Sequence, residues 1–446
     1  MKIVHPLLSM NSVFLMILLA PIFSQYISAY IPDYSYSKKP VLNDPNLAVE
    51  LVAKGIKFPT SMAFLTKNDI LVLEKNDGTV RRILNGTVLD KPILDVNVDN
   101  EVERGMLGIA ISKNLLHNTT YVFLYYTESG EYGEYGPPIG NRLYRYEFIN
   151  NRLENPKLLL DLPATPGAYH NGGIVTLGPD NSVYVVIGDV AYYDYFESHP
   201  PLDGRGGILR IPIDENIIKD NDSLNSIKSE NLYYAYGIRN SFGIDFDPVT
   251  GRLWDTENGP GFGDEINLVK QGFNSGWSVI QGIWKVESYF EGKIAVLNPN
   301  EILSNFDRRG NYSAPEFTWA EPIGVTAIKF FHSDKFGEQY EEDMFVGDFI
   351  HGNLYHFELN EDRTELSLDG QLVNRVANKA EGLEQVIFGK GFGGVTDIEI
   401  GPDGYLYILT TNRAGHNCNE SNNDTCINYS SGEEGAIFRI IPIKDI

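Results

Sequence analysis

Short apolar runs separated by turn-forming residues recur along most of the chain. Each unit has an apolar strand, a turn containing Asp or Asn, a second apolar strand, and a strand that mixes basic with apolar residues. Six copies occur, at 61–84, 107–149, 172–213, 242–269, 327–359 and 396–443. The turns PDN, PVTG and PDG between apolar runs are typical of β-hairpins. The pattern predicts a chain of hairpins with few and short helices.

Six hairpin-rich copies of about four strands each predict an all-β protein, a six-bladed β-propeller of four-stranded antiparallel blades. The segment LAVELVA at 47–53 precedes the first copy, so we expect it to complete the last blade and close the ring. The predicted propeller domain is 47–446. Several connections between strands are long, and long loops on a rigid scaffold often contain functional residues.

The N-terminal segment has the pattern of a targeting signal. Lys2 precedes an apolar run at 13–23, which is short for a membrane span, and Ser28-Ala29 offers a small-residue cleavage point. We expect an export signal over 1–29, with an uncleaved anchor as the alternative. A polar tether is predicted over 30–46.

Cysteines and glycosylation sequons agree with an extracytoplasmic location. The two cysteines, Cys418 and Cys426, are close in sequence, and we expect a local disulfide on a surface loop. Sequons of the form N-x-S/T, which predict a glycoprotein where the host glycosylates them, begin at Asn85, Asn118, Asn221, Asn311, Asn419, Asn423 and Asn428.

Charge excludes one class of partner. The chain has 36 Lys and Arg against 60 Asp and Glu, a formal net charge of −24. Such a surface repels nucleic-acid backbones and anionic lipid. Because no basic cluster interrupts it, we expect no nucleic-acid partner.

A histidine on a glycine-rich loop is the first candidate for chemistry. His170 lies in TPGAYHNGG, and Asp189 ends VVIGD one hairpin later. The hairpin places both residues at the same end of one blade. A carboxylate that fixes an imidazole tautomer is the usual design of a general base. The alternative is a structural histidine with satisfied hydrogen bonds.

A second group of candidates lies in the fourth copy. Arg239 suits a carboxylate or a quinone oxygen, or else braces a loop. The Asn-Gly-Pro turn at 258–260 exposes carbonyls, and carbonyls with the carboxylates of Asp264-Glu265 suit Ca²⁺. The alternative here is an acidic turn.

Two further charged sites are ambiguous from the residues alone. Glu103-Arg104 has the pattern of a solvated charge pair. Lys390 lies in the glycine-rich sequence FGKGFGG, where a lysine can simply keep a surface turn soluble. No Rossmann fingerprint, H-E-x-x-H or G-x-S-x-G is present, so NAD, zinc and serine-hydrolase functions lack their motifs.

Three segments together resemble a known family. HNGG with GPDNSVYVVIGD, YGIRNSFGIDFDPVTGRLWDTENGPGFGDEINLV and GPDGYLYIL are similar to the soluble glucose/sorbosone dehydrogenases, most of all to the aldose sugar dehydrogenases. The resemblance covers about 47–443. It implies a six-bladed propeller that uses pyrroloquinoline quinone (PQQ) and Ca²⁺. It also implies oxidation of aldoses at C1 to lactones, by hydride transfer to the quinone, with electrons passing to an unknown acceptor.

The resemblance also implies roles for individual residues. His170 matches the base that takes the anomeric hydroxyl proton, Asp189 its partner, and Arg239 the arginine beside the reactive quinone carbonyl. The residues implied near the cofactor are Glu103, Asn240 and Thr326, with Lys390 as the nearby cation. The main-chain carbonyls of Gly259 and Pro260 match ligands of the catalytic Ca²⁺, and Glu265 matches a ligand of a structural Ca²⁺.

One departure from the family pattern leaves alternatives open. Gly394 and Thr396 stand where the family usually has arginines that bind the PQQ carboxylates. One alternative is a calcium-stabilised propeller that binds a glycan or a protein without a cofactor. Another is a propeller lactonase or metal hydrolase, for which we find no converging set of carboxylates.

Overall fold

β-Strands make up almost all of the regular structure. The computed structural model describes residues 40–114, 119–130, 137–191, 203–213, 232–287, 311–378, 380–411 and 434–446. Within these ranges the helical residues are α1 (Ala380–Leu383), the pair 286–287, and the 3₁₀ turns Gly370–Leu372 and Ile443–Asp445. For the described residues, the prediction of few and short helices is confirmed. No described helix is long and apolar enough to cross a membrane.

The strands follow the predicted hairpin order along the chain. The first eleven are β1 (Val41–Leu42), β2 (Leu47–Lys57), β3 (Pro59–Thr66), β4 (Asp69–Glu74), β5 (Thr79–Leu84), β6 (Thr87–Val88), β7 (Leu94–Asp95), β8 (Met106–Asn114), β9 (Thr119–Ser129), β10 (Pro138–Ile149) and β11 (Arg152–Leu162). The next eleven are β12 (Val175–Leu177), β13 (Ser182–Ile187), β14 (Gly207–Pro212), β15 (Tyr233–Tyr236), β16 (Ser241–Phe246), β17 (Leu253–Glu257), β18 (Asp264–Val269), β19 (Phe273–Asn274), β20 (Ile280–Gln281), β21 (Trp284–Lys285) and β22 (Asn311–Tyr312). The last nine are β23 (Phe317–Trp319), β24 (Val325–Phe330), β25 (Met344–Asp348), β26 (Leu354–Phe357), β27 (Val376–Ala377), β28 (Ile387–Lys390), β29 (Gly394–Ile400), β30 (Leu406–Thr411) and β31 (Glu434–Pro442).

The described strands form large sheets in the manner of a β-propeller. Their orders are β3-β4-β5-β6 with β7 on β5, β11-β10-β9-β8, β12-β13-β14-β15-β19-β22, β16-β17-β18-β23-β27, β1-β28-β26-β25-β24 and β2-β31-β30-β29. One strand of each sheet contacts its counterparts in two other sheets, in the closed order β3, β8, β12, β16, β24, β29 and back to β3. These inner strands surround the axis.

The expectation of four-stranded antiparallel blades is wrong for four of these sheets. Only β11-β10-β9-β8 and β2-β31-β30-β29 have four strands. Elsewhere the long connections contribute short outer strands, and β19, β22 and β27 pair in parallel. These additions cover backbone groups that an outermost strand would leave unpaired.

The ring closes as predicted, through the N-terminal strand. β2 pairs antiparallel with β31 from Leu47 opposite Pro442 to Lys57 opposite Glu434. The predicted tether, 30–46, joins the propeller in its described part, because β1 pairs with β28 and the Asn43 N–H donates to the Phe388 carbonyl.

Apolar side chains fill the spaces between neighbouring sheets. One such cluster surrounds Trp254, Phe317 and Trp319, and a smaller one joins the closing sheet to the first. Burial of these side chains is the main favourable contribution to folding.

Some predictions concern segments outside the described residues. These are the signal over 1–29, the Cys418–Cys426 disulfide, and the sequons at Asn118, Asn221, Asn419, Asn423 and Asn428. Asn85 and Asn311 lie within the described part of the chain, and both are exposed.

Ring closure makes β2 a determinant of stability. Ile56 on β2 is fully buried against the first sheet, whereas Leu51 on the same strand is 42% exposed. We expect Ile56→Ala to lower the free energy of unfolding by about 2–4 kcal/mol, because it leaves a cavity. Leu51→Ala, the matched control, is expected to change it by about 0.5 kcal/mol or less. Urea unfolding measures both, and equal losses would contradict this packing of β2.

Candidate active site

A cavity of ≈ 420 Å³ lies where the inner strands surround the axis. Each inner strand, or the residue just before it, contributes one side chain to the lining. These residues are Thr60, Leu107, Ile174, Phe242, Thr326 and Thr396. The cavity is therefore built from all six large sheets.

The walls of this cavity are largely apolar. Phe58, Val102, Phe349 and Ile350 line it together with the inner-strand residues. Among the described lining residues, Lys75 is the one cation and Glu103 the one anion. The cavity thus offers a ligand mostly apolar contacts, one ammonium and one carboxylate.

The lysine in this wall is partly desolvated. Its Nζ donates to Asn76 Oδ1 at 2.8 Å and lies 5.3 Å from the centre of the Phe58 ring. Burial lowers the pKa of Lys75 to about 8, against the attraction of Glu103 and Asp99. At neutral pH the side chain is cationic.

His170 and Asp189 form the predicted pair. The β12–β13 hairpin brings His170 Nδ1 to 2.6 Å from Asp189 Oδ1. Both side chains are buried, Asp189 completely. Gly172 permits the close approach, since a Cβ there would lie 2.6 Å from the Val186 carbonyl oxygen. With Nδ1–H donated to Asp189, the basic lone pair of the neutral imidazole is on Nε2.

Glu103 connects three loops at the edge of the cavity. Its Oε2 accepts from the His170 N–H at 2.7 Å and from Asn240 Nδ2 at 3.0 Å. Arg104 is buried and pairs with Asp99 at 3.2 Å. The interpretation of Glu103-Arg104 as a solvated pair is therefore wrong. The loops that cover it come from other blades, and the local pattern contains no information about them.

Arg239 lies in the connection from β15 to β16, beside the histidine pair. Its N–H donates to Glu257 Oε1 at 2.7 Å, and its Nη1 donates to the Asn258 carbonyl at 2.8 Å. Its guanidinium lies over the Trp277 ring at 5.3 Å. Asn240 is buried, and its Oδ1 makes no hydrogen bond among the described residues.

The Gly259-Pro260 turn is held by a buried carboxylate. Asp264 accepts from the Gly259 N–H at 2.9 Å through Oδ1 and from the Gly324 N–H at 2.8 Å through Oδ2. A Cβ on Gly259 would lie 1.8 Å from the Phe262 carbonyl oxygen, so only glycine fits. The turn that the sequence predicts to expose carbonyls is thus rigid.

Three buried carboxylates occupy adjacent strands behind this turn. Asp255 and Glu257 lie on β17, and Glu265 pairs with Glu257 from β18. Burial raises the pKa of Glu257 to about 7 and that of Asp255 and Glu265 well above the usual range. Glu265 accepts from Gln281 Nε2 at 2.9 Å. No three His, Cys, Asp or Glu side chains of the described chain form a metal shell by themselves, so a cation here would need amide or main-chain oxygens as well.

Of the two remaining predicted cofactor residues, the structure places one at the cavity and the other away from it. Thr326 lines the cavity and donates to the Val395 carbonyl at 2.8 Å. Lys390 lies on β28, an outer strand, and its Nζ pairs with Glu384 at 2.8 Å. Because the fourth strand of a blade is far from the axis, the structure does not bring Lys390 to the cavity.

Sequence reasoning missed Lys75, Trp277 and Phe349. Lys75, Asn258 and Phe349 each directly follow the second strand of a blade, β4, β17 or β25, and each lines the cavity. This shared position is a signal that would have found them. Phe349 also fills the space beside Gly394, where a Cβ would lie 2.9 Å from its ring.

The chain is similar in sequence to known sugar dehydrogenases. The sequence profile of the Glucose / Sorbosone dehydrogenase family matches residues 56–418. Aldose sugar dehydrogenase YliI of Escherichia coli is 24% identical over 82% of this chain and 91% of its own. Quinoprotein glucose dehydrogenase B of Acinetobacter calcoaceticus is 28% identical over 53% of each chain.

A solved structure has the same fold. The PQQ-bound aldose sugar dehydrogenase of Streptomyces coelicolor superposes with a TM-score of 0.59, at 21% identity, and covers 90% of this chain and 100% of its own. The two named relatives are sugar-oxidising oxidoreductases. Because the profile match spans most of the chain, the protein belongs to the glucose/sorbosone dehydrogenase family.

Proposed function

We propose that the protein is an extracytoplasmic dehydrogenase that uses PQQ and Ca²⁺ to oxidise aldose sugars at C1 to lactones. The observation on which this depends is the buried His170–Asp189 pair, because Glu103, which accepts from the His170 N–H, lines the axial cavity. Quinoprotein relatives and a PQQ-bound structural neighbour support the cofactor. The electron acceptor is a separate partner.

The residues at the cavity fit a planar, anionic quinone. Phe58, Phe242 and Phe349 offer flat apolar walls, and Lys75 offers one ammonium for a carboxylate. Beside the cavity, Asn240 Oδ1 and Arg239 Nε are buried polar atoms without hydrogen-bond partners in the described chain. In this proposal Lys75 takes the place that the sequence assigned to Lys390.

The chain's own residues would perform the proton chemistry. PQQ, when bound, supplies the hydride acceptor. His170 Nε2 accepts the proton of the anomeric hydroxyl, while Asp189 holds Nδ1–H and stabilises the imidazolium that forms. Arg239, which lies over Trp277 next to the pair, would provide positive charge there.

Calcium fits the chemistry of the neighbouring donors. The Gly259-Pro260 turn directly follows Asn258, which lines the cavity, and would supply main-chain oxygens. Behind it, Glu257 and Glu265 are buried with raised pKa values, the situation in which a cation would replace a proton. We assign Glu265 to a structural ion and the turn carbonyls to a catalytic one.

The six large sheets are, in this proposal, the six blades that the sequence predicts. The support is the closed circle of inner strands and the contribution of each sheet to one cavity. Each blade then contributes residues at the start of its inner strand to the cavity on the axis.

A second candidate is a propeller that binds a glycan or protein without a cofactor. One observation favours it: Gly394, Thr396 and Phe349 leave Lys75 as the single cation among the described lining residues. Failure of PQQ to bind would favour this candidate.

The histidine pair provides the first test. We expect His170→Ala to lower kcat by at least about 1,000-fold, because no other base is positioned by Asp189, while PQQ affinity stays within about twofold. Dye reduction with a panel of aldoses measures turnover. The control is His332→Ala, which removes a histidine paired with Glu342 on the surface. Retained turnover in His170→Ala would remove His170 from the mechanism.

Lysine 75 provides a test of cofactor binding. A lost charge-assisted hydrogen bond costs about 1.5–3 kcal/mol, so we expect Lys75→Met to weaken PQQ binding by about 10- to 100-fold. Quenching of tryptophan fluorescence measures the Kd. Lys390→Met is the matched control and should bind as the wild type does. Equal affinities in all three proteins would exclude Lys75 as a cofactor ligand.

Calcium binding should depend on pH. Between the unfolded pKa, near 4.5, and the folded pKa of about 7, buried Glu257 holds more protons than it does in the unfolded chain. Metal-free stability therefore falls as pH rises through this interval. Because Ca²⁺ binds the ionised carboxylates, we expect it to raise Tm more at pH 8 than at pH 5.5.

Melting curves in calcium and in EGTA measure this effect. Glu265→Gln should abolish the calcium-dependent rise. Glu316→Gln, which alters another buried carboxyl with a pKa of about 7, should keep it. A Tm that is insensitive to calcium at both pH values would contradict the structural site.

A further inference from the structure

We infer that Trp277 is a positioning residue for the His170–Asp189 pair, an inference that rests on the proposed function. No motif pointed to it. Three contacts of Trp277 support this role. Its indole N–H donates to Asp189, its ring lies against the Arg239 guanidinium, and its backbone N–H donates to the Gly237 carbonyl. Each is independent of any bound ligand.

The indole completes the hydrogen bonding of Asp189. Trp277 Nε1–H donates to Asp189 Oδ2 at 2.7 Å. The other oxygen, Oδ1, faces His170 Nδ1 at 2.6 Å and accepts from the Ala191 N–H at 2.7 Å. Asp189 is fully buried and Trp277 is 4% exposed, so both oxygens depend on protein donors. The indole donor therefore helps to fix the orientation of this carboxylate.

Strand pairing explains how the indole reaches this position. β15 and β19 run parallel, with Tyr236 opposite Asn274. The segments that follow them, 237–239 and 275–277, therefore leave the sheet side by side, and the Trp277 N–H donates to the Gly237 carbonyl at 3.1 Å. A parallel outer strand that the sequence did not predict thus places the residue.

The same indole contacts the arginine of the site. The Arg239 guanidinium lies 5.3 Å from the Trp277 ring, and the Arg239 carbonyl accepts from the Asp189 N–H at 2.9 Å. Asp189, Trp277 and Arg239 therefore form a closed unit. Displacing the indole would disturb the base and the cation together.

Removing the indole N–H has a defined electrostatic consequence. Without a donor, Asp189 Oδ2 is a less stabilised carboxylate oxygen and attracts the imidazolium proton more strongly, so the pKa of His170 rises. The other charged groups that face the pair are Glu103, which accepts from the His170 N–H, Arg239 in the β15–β16 connection, and Glu257 on the neighbouring blade. Trp277→Phe leaves these groups in place.

The test is a ¹⁵N NMR titration of the histidine imidazoles in the protein without PQQ or sugar. The His170 signal is assigned with His170→Gln. We expect the midpoint of the His170 titration to lie at higher pH in Trp277→Phe than in the wild type. In the PQQ-loaded enzyme the substitution should lower kcat at least tenfold and move the acidic limb of the pH profile upward by the same amount.

The matched control is Trp254→Phe. Trp254 is also fully buried, but its Nε1 makes no hydrogen bond in the described chain and it lies in the core between blades. It should shift neither the His170 pKa nor the pH profile. If Trp277→Phe and Trp254→Phe behave alike in both measurements, the inference is overturned.

A measurement on the wild type keeps the inference testable if Trp277→Phe fails to fold. The chain has four tryptophans, and Trp254→Phe identifies the control signal. The Trp277 indole N–H resonance should follow the His170 titration, and that of Trp254 should not. An indole signal that ignores the titration overturns the inference. The NMR result requires neither PQQ binding nor turnover. Absence of PQQ binding or turnover would therefore contradict the proposed function and leave the NMR test of Trp277 intact.

Discussion

The site depends on the solvation of one buried carboxylate. Asp189 has no access to water, yet donors from three segments surround it: the glycine-rich loop, the segment after β13, and the loop after β19. An ionised carboxylate in such a place is stable only when protein donors replace water. Because Asp189 needs these donors, the segments that carry them must keep their relative positions. The imidazole that Asp189 orients is fixed in the same way. Glu103 also connects separate segments of the site, because it accepts hydrogen bonds from the His170 N–H and from Asn240.

The charge distribution around the cavity is sparse, and this limits what can bind there. The chain has a net charge of −24, but only Lys75 and Glu103 among the described lining residues are charged. A ligand with several carboxylates would depend on Lys75, on Arg239 beside the cavity, and on a bound cation at the Gly259-Pro260 turn. Phe349 occupies the space that a side chain at position 394 would need.

Much of the fold followed from local pattern, because hairpins are local. The turns and alternating apolar runs located the inner strands, and LAVELVA was correctly placed as the strand that closes the ring. The His170–Asp189 pair was predictable for the same reason, since one hairpin joins its members. Lys390 was misplaced because a glycine-rich loop does not reveal which strand of a blade precedes it. Trp277 could not be found at all, because its position depends on the parallel pairing of β15 with β19 across a long connection. Contacts between distant segments carry no local signature, and buried Arg104 is an example, because it donates to the Ala164 and Gly167 carbonyls of the β11–β12 connection.

The central claim is that this cavity oxidises sugars with His170 as the base. The most direct measurement is a single-turnover reaction in the absence of any electron acceptor. The protein is loaded with PQQ and Ca²⁺, mixed anaerobically with an aldose, and the absorbance of the quinone is followed. The account predicts rapid reduction with one equivalent of sugar oxidised per site, slowed severalfold when the C1 hydrogen is replaced by deuterium. A loaded protein whose quinone absorbance stays unchanged with every aldose would contradict it.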